Sequence, residues 1–417
     1  MRRSLLVPFF SVAGLTLAAW IGPVAAQAAP ASGVVTCGQT LTASTRLANS
    51  LVGCTGDGLL IGADNITVDL AGHSISGVNA AGSEGIADDG HGGVRIRNGT
   101  IAHFFLNGVG LRGAPGSAVS NVTIRKIGAG GNEPEASAGV LVQDSPNSSV
   151  TASTVINDVS AFQSDGVDVL SSAGTTVSGN RLANNAWDGM VVIDSPRTHV
   201  LGNALDGNQN QGIEVNAGSD GTLLAGNHAR NNVASGLVVG AVSGARIEGN
   251  VLSGNGDSGL FMFDLQNSRV SANRAGGNGV GIDLEGGQNG SAGNRVAGND
   301  TSRNTAGLVV GGGANGNVIV GNVANANQGG PDDGGGIILV AVTGNTVRGN
   351  VANGNRDVGI GVFEDQPGDS AGNVLTANVA DVNRNHGINA VDGTIDGGHN
   401  IAHGNTPRPN CLGVSCG

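Results

Sequence analysis

A glycine followed by a short alternation of aliphatic and other residues recurs along most of this chain. Gly212-Ile213-Glu214-Val215, Gly307-Leu308-Val309-Val310 and Gly359-Ile360-Gly361-Val362 are three examples. Alternation over three to five residues marks a β-strand with one face covered. After each such strand come a polar turn, another short apolar alternation and a Gly-Asn or Ala-Asn step. That step recurs at Asn180, Asn203, Asn227, Asn250, Asn273, Asn299, Asn322, Asn350 and Asn378, at intervals of 23 to 28 residues. A period in the twenties describes stacked supersecondary units, none of which buries its apolar side alone. No helical period survives across any repeat, which excludes solenoids built from helix-containing units.

About three strands fit each repeat, with glycine or asparagine at the corners, residues that tolerate left-handed backbone. Successive coils then pair as parallel strands about 4.8 Å apart. Aliphatic side chains stack into an internal column, and the recurrent asparagines form an amide ladder along one corner. A buried amide needs partners, and its copy one coil away supplies them. The asparagines are thereby explained without a ligand.

The repeats from about Gly58 to Asn405 resemble those of the pectate-lyase-like superfamily. The stretch from Cys54-Thr55-Gly56-Asp57-Gly58 through Asp64-Asn65-Ile66-Thr67-Val68-Asp69 to Ile75 resembles the opening of secreted bacterial β-helix proteins. So does the closing stretch from Asn405 to Cys416. The fold expected is all-β: a single-stranded, right-handed parallel β-helix with coils of about 23 residues. Residues 1–28 are expected to be a signal peptide, 29–57 an N-terminal cap, 58–405 the β-helix and 406–417 a C-terminal cap. Lyases, hydrolases, epimerases and non-catalytic surface proteins share this architecture, so the resemblance bears weakly on activity.

Composition adds most at the ends. Arg2 and Arg3, the uncharged run from Leu5 to Ile21 and Ala26-Gln27-Ala28 fit a cleaved export signal. The mature chain is therefore expected to be secreted, extracellular or cell-surface. No later segment has 18 consecutive apolar residues, so no membrane span is expected after cleavage. The four cysteines form two local pairs, Cys37 with Cys54 and Cys411 with Cys416. Close spacing favours that connectivity among three, and disulfide-stapled ends are the expected role. Glycine is 75 of 417 residues, a content that would suggest disorder without the fixed period. The net charge is −12 and Lys126 is the sole lysine, which argues against nucleic-acid binding. A monomer is expected.

Candidate chemistry follows from aligning coils on the glycine before each strand. The first acidic neighbourhood holds Asp165, Asp168, Asp188, Asp194 and Glu214 beside Trp187. Asp165 and Asp188 fall in adjacent coils, about 5 Å apart. Stacked carboxylates either share a cation or push one pKa up, which yields an acid and a base for glycoside cleavage. Asp165, Asp168, Asp188 and Glu214 are the catalytic candidates, with Trp187 and Asp194 as substrate contacts. Ca2+ is a candidate cofactor, because it takes several such oxygens. The second neighbourhood holds Asp264, Asp283 and Glu285 beside Phe261 and Phe263, an aromatic face suited to a sugar ring. The expected partner is a polysaccharide or cell-surface glycan. Against catalysis, aspartate before glycine is ordinary turn chemistry, outward acids keep a solenoid soluble, and aromatics are only 2% of the chain. A non-catalytic glycan-binding or structural rod is the alternative.

Weaker signals complete the reading. Arg125-Lys126 precedes an irregular insertion, Ile127 to Ala138, carrying Glu133 and Glu135. Pectate-lyase-like enzymes use a basic residue in β-elimination, and Lys126 is a candidate for that role. Asp194-Ser195-Pro196-Arg197-Thr198-His199 only echoes the Asp-Pro-His core of alginate epimerases. Gly108-Val109-Gly110-Leu111-Arg112-Gly113 fits a dinucleotide motif but lacks its βαβ setting. His73, His91 and His103 precede the regular coils and are a weak metal-site candidate.

Overall fold

The structure, a computed structural model, describes residues 30–128, 137–157, 164–330 and 334–417. The expected signal peptide and Glu133 and Glu135 lie outside the described residues. Within them every regular element is a β-strand, and every strand pairing is parallel. Each coil offers three faces. The first is a sheet of 16 strands running from Gln39–Leu41 to Cys411–Leu412. The second and third faces share one 24-stranded sheet; in one coil they are Thr176–Ser178 and Arg181–Leu182, parted by Gly179 and Asn180. At one coil per strand spacing of about 4.8 Å, the solenoid is roughly 70 Å long.

Register follows the glycine-led alternation. Val167, Met190, Ile213, Leu237, Leu260 and Ile282 are paired in succession up the first face, and all are fully buried. One continuous apolar core runs from Val35 to Ala390. The glycine ahead of each inward residue sits against the coil that follows. A Cβ on Gly189 would lie 2.5 Å from the Gly212 carbonyl oxygen, and one on Gly236 2.7 Å from that of Gly259. No side chain fits there, so the glycine recurs.

Asn203 and Asn227 stack at one corner as the period requires. Asn203 Nδ2 donates to Asn227 Oδ1 at 3.0 Å and to the Val177 carbonyl at 2.9 Å, while Asn203 N donates to the same Oδ1 at 3.0 Å. The ladder continues in this way from Asn180 to Asn400. A second ladder, from Asn185 to Asn405, lines the corner between the third face and the first of the following coil. A buried amide is costly when unpaired, and here each pairs with coils on both sides.

The disulfides are Cys37–Cys54 and Cys411–Cys416. Parallel pairing extends from Ala31–Gly33 with Thr45–Leu47 to Ile388–Asn389 with Cys411–Leu412, reaching into both segments expected to cap the ends.

Candidate carboxyl-lined face

On the first face the second and fourth residues after each glycine point outward. Asp168, Val191, Glu214, Val238, Phe261, Asp283 and Val309 make one outward column. Leu170, Ile193, Phe263, Glu285 and Gly311 belong to the other. The residue before each glycine sits at the corner, and there the acids have a structural task. Asp165 Oδ1 accepts the backbone N–H of Asp188 at 2.7 Å, and Asp188 Oδ1 that of Gln211 at 2.6 Å. Gln211 Oε1 accepts the N–H of Ser235 at 2.7 Å, and Ser235 Oγ that of Ser258 at 3.3 Å. Any side chain offering an acceptor serves in this column.

Four acids converge at its start. Asp165, Asp168 and Asp188 are 6%, 5% and 1% exposed, and Glu214 is half-buried beside them. Burial is the main force raising all three aspartates, because a charge loses its hydration there. Asp165 and Asp168 share a hydrogen bond and repel when both are charged, which raises Asp165 further. Asp188 is pushed up to about 8 by burial and then by the charges of Asp165 and Glu214. Asp168 Oδ1 and Asp188 Oδ2 have no hydrogen-bond donor among the described residues. A proton held between neighbouring carboxyls supplies one.

The structure thus brings Asp165, Asp168, Asp188 and Glu214 together. Trp187 adjoins them at 40% exposure, its backbone N–H donating to the Ser164 carbonyl at 3.2 Å. Asp194 stands apart. It is exposed at the corner that ends the face, in left-handed backbone with φ of 48°.

Further along the face, Asp283 and Glu285 are outward neighbours on one strand. Burial pushes Asp283 up to about 7, helped by the charge of Glu285, and burial also raises Glu285. Phe261 and Phe263 lie one coil before them with ring centroids 5.6 Å apart. The Glu285 carboxyl lies over Gly311, where a Cβ would be 2.6 Å from its Oε1. Asp264 holds a corner, with φ of 49° and its Oδ1 on the N–H of Asn289 at 2.5 Å.

One buried acid of the same corner column went unread. Glu84 receives both terminal guanidinium nitrogens of Arg112, with Nη1 3.0 Å from Oε2, and Asn107 Nδ2 at 2.7 Å. Its own N–H donates to Asp57 Oδ1 at 2.8 Å. These coils lack the Gly-Asn step, but Gly85 and Gly108 carry the same alignment and would have disclosed it. Lys126 follows the third-face portion of Ala118–Arg125, at a left-handed corner on a different face from the carboxyls. His73, His91 and His103 meet three different partners, Ser50, Asp64 and Ser76. Among the described residues no three His, Cys, Asp or Glu side chains are grouped to hold a metal ion.

Comparison with known proteins bears on the architecture. The family model described as right handed beta helix region matches residues 57–229, 165–324 and 221–366. Among solved structures, the periplasmic alginate epimerase AlgG is 14% identical, with 87% of this chain and 78% of that one covered and a TM-score of 0.48. The A-module of an Azotobacter vinelandii mannuronan C-5 epimerase is 15% identical, with coverage of 88% and 91% and a TM-score of 0.43. The Dettilon tailspike protein is 14% identical, with coverage of 86% and 62% and a TM-score of 0.45. No curated protein matches the chain in sequence. Matched across most of its length and stacked throughout in parallel coils, the chain belongs to the right-handed β-helix family.

Proposed function

We propose that this protein acts on an extracellular polysaccharide laid along the outer side of the first face, with Asp165, Asp168, Asp188 and Glu214 as its chemical groups. One observation carries the reading: Asp165, Asp168 and Asp188, buried so that their carboxyls are pushed toward the protonated form, converge beside half-buried Glu214 on a long face. A carboxyl that holds its proton near pH 7 is a general acid, and a carboxylate beside it is a base or nucleophile for glycoside chemistry. Phe261 and Phe263 stand two coils beyond Glu214 and Asp283 and Glu285 three, about 10 and 14 Å along the axis, and would contact a bound chain. Two disulfides fit an oxidising compartment, where such substrates occur.

A second reading rests on the corner column. Gln211 and Ser235 perform the same backbone-accepting task as Asp165 and Asp188. That equivalence favours a non-catalytic glycan-binding or structural rod, whose acids serve the fold.

The two readings part in one experiment. Purified protein is incubated with neutral and acidic polysaccharides, with and without Ca2+, and products are followed by new reducing ends and by ultraviolet absorbance of unsaturated uronates. The enzymatic reading expects turnover that falls at least about 100-fold in Asp168→Asn combined with Glu214→Gln. Binding without turnover supports the second reading. Turnover unchanged in the double variant removes these carboxyls from the chemistry, and a chain that neither binds nor turns over any glycan removes both readings.

A further inference from the structure

The coil that carries Asp283 and Glu285 on the first face, and the two coils before it, carry arginines on the second face. Arg246, Arg269 and Arg295 occupy equivalent places in three consecutive second-face strands, directly paired in register. All three are exposed, and each precedes a fully buried aliphatic residue. Like charges opposite one another on adjacent strands repel. Carboxylates offset only the first, since Arg246 donates to Glu248 at 3.0 and 3.2 Å. Arg269 Nε reaches Ser271 Oγ at 3.4 Å. Neither Arg269 nor Arg295 has a carboxylate in ion-pair reach among the described residues.

Around the corner, Arg274 and Arg303 line a concavity of about 410 Å³ on the third face, together with Ser253 and Ser302. Asp300, the one acid there, accepts the N–H of Ser302 at 3.2 Å. In a chain of net charge −12, these coils gather arginines on two faces, where the nearby acids are Glu248, paired with Arg246, and Asp300.

We infer that the arginine column binds a linear anionic glycan running parallel to the solenoid axis. A guanidinium pairs its planar fork with carboxylate or sulfate, and stacked strands repeat that fork every 4.8 Å or about that distance. Phosphates of duplex DNA recur about every 3.4 Å along a strand and curve away from a straight file. No aromatic side chain stands in the column to stack a base. A bilayer needs a broad basic or apolar surface, and this column is one residue wide. The site goes beyond the proposed function, because it lies on a different face and stands if the carboxyls prove inert.

The test uses the full mature chain and polygalacturonate oligomers, with affinity measured by calorimetry at low salt and at about 0.5 M NaCl. Wild-type protein binds at low salt and loses the oligomers at high salt. Arg269→Gln combined with Arg295→Gln weakens binding about fivefold or more, whereas Arg181→Gln, on the third face, leaves it unchanged. Circular dichroism establishes that the variants fold, and Arg295→Glu alone should abolish binding without altering the spectrum. Absence of wild-type binding, full affinity in the double variant, or equal binding of duplex DNA or phosphatidylserine vesicles overturns the inference.

Discussion

Oδ1 of Asp165 accepts the backbone N–H of Asp188, one coil further on, at 2.7 Å. Asp188 repeats the arrangement with Gln211 and keeps its second oxygen without a donor among the described residues. Each carboxyl therefore joins two coils through one oxygen and faces other carboxyls with the rest of the group. The hydrogen bond from the backbone favours the charged form, but burial outweighs it, and the acids retain protons.

Stability should fall as pH rises. Asp188 is pushed up to about 8 and Asp283 to about 7, against about 3.9 in the unfolded chain. Between those values the folded state binds more protons, so this stabilisation is complete below about pH 4 and is lost as pH rises through 7 to 8. The Tm is expected to decrease from pH 5 to pH 9. Asp188→Asn with Asp283→Asn should flatten the decrease, because an amide keeps the acceptor and cannot ionise. A wild-type Tm that climbs across this range would show that these carboxyls are ionised throughout.

Asn227 tests the amide ladder. Its side chain donates to the Val200 carbonyl at 2.9 Å and to Asn250 Oδ1 at 3.0 Å, and accepts from Asn203 N and Nδ2. Asn227→Ala leaves buried groups unpaired in three coils, at about 1 to 3 kcal/mol each. A loss of at least about 3 kcal/mol in denaturant unfolding is expected. A loss below about 1 kcal/mol would mean that water substitutes freely at this corner.

Two glycines should fail for different reasons. Gly189→Ala places a Cβ 2.5 Å from the Gly212 carbonyl, and overpacking of that kind costs about 1 to 3 kcal/mol. Gly179→Ala meets nothing within 4 Å but sits at φ of 63°, which costs about 1 kcal/mol through backbone strain alone. Hydrogen exchange distinguishes them: the first should loosen amides in the adjoining coil, the second only its own corner. Identical exchange patterns would contradict the steric argument.

The Cys37–Cys54 bond should protect one end. Replacing both cysteines by serine is expected to cost about 3 kcal/mol through the freed unfolded chain. Because coils contact only their neighbours, the loss should appear as early proteolysis near the first strands while the central coils resist. Simultaneous cleavage throughout would indicate that the solenoid unfolds as one unit.

The coil period, the parallel stacking and the vertical pairing of Asn203 with Asn227 were legible in the sequence alone. Coils of nearly equal length map spacing onto height, so residues one period apart become neighbours. The same arithmetic placed Asp165 beneath Asp188 and put both phenylalanines on the face with Asp283. It did not reveal that Asp165 and Asp188 hold backbone amides, because a side chain's hydrogen-bond partner depends on the turn geometry at each corner. Nor did it separate Asp194 and Asp264 from the acidic groups, since a left-handed corner residue leaves the strand's alternation. Glu84, Arg112 and Asn107 come together across coils that lack the asparagine step, and the arginine file lies on a face the glycine alignment does not index. Height along the axis follows from chain length; direction around it is decided by where the backbone turns.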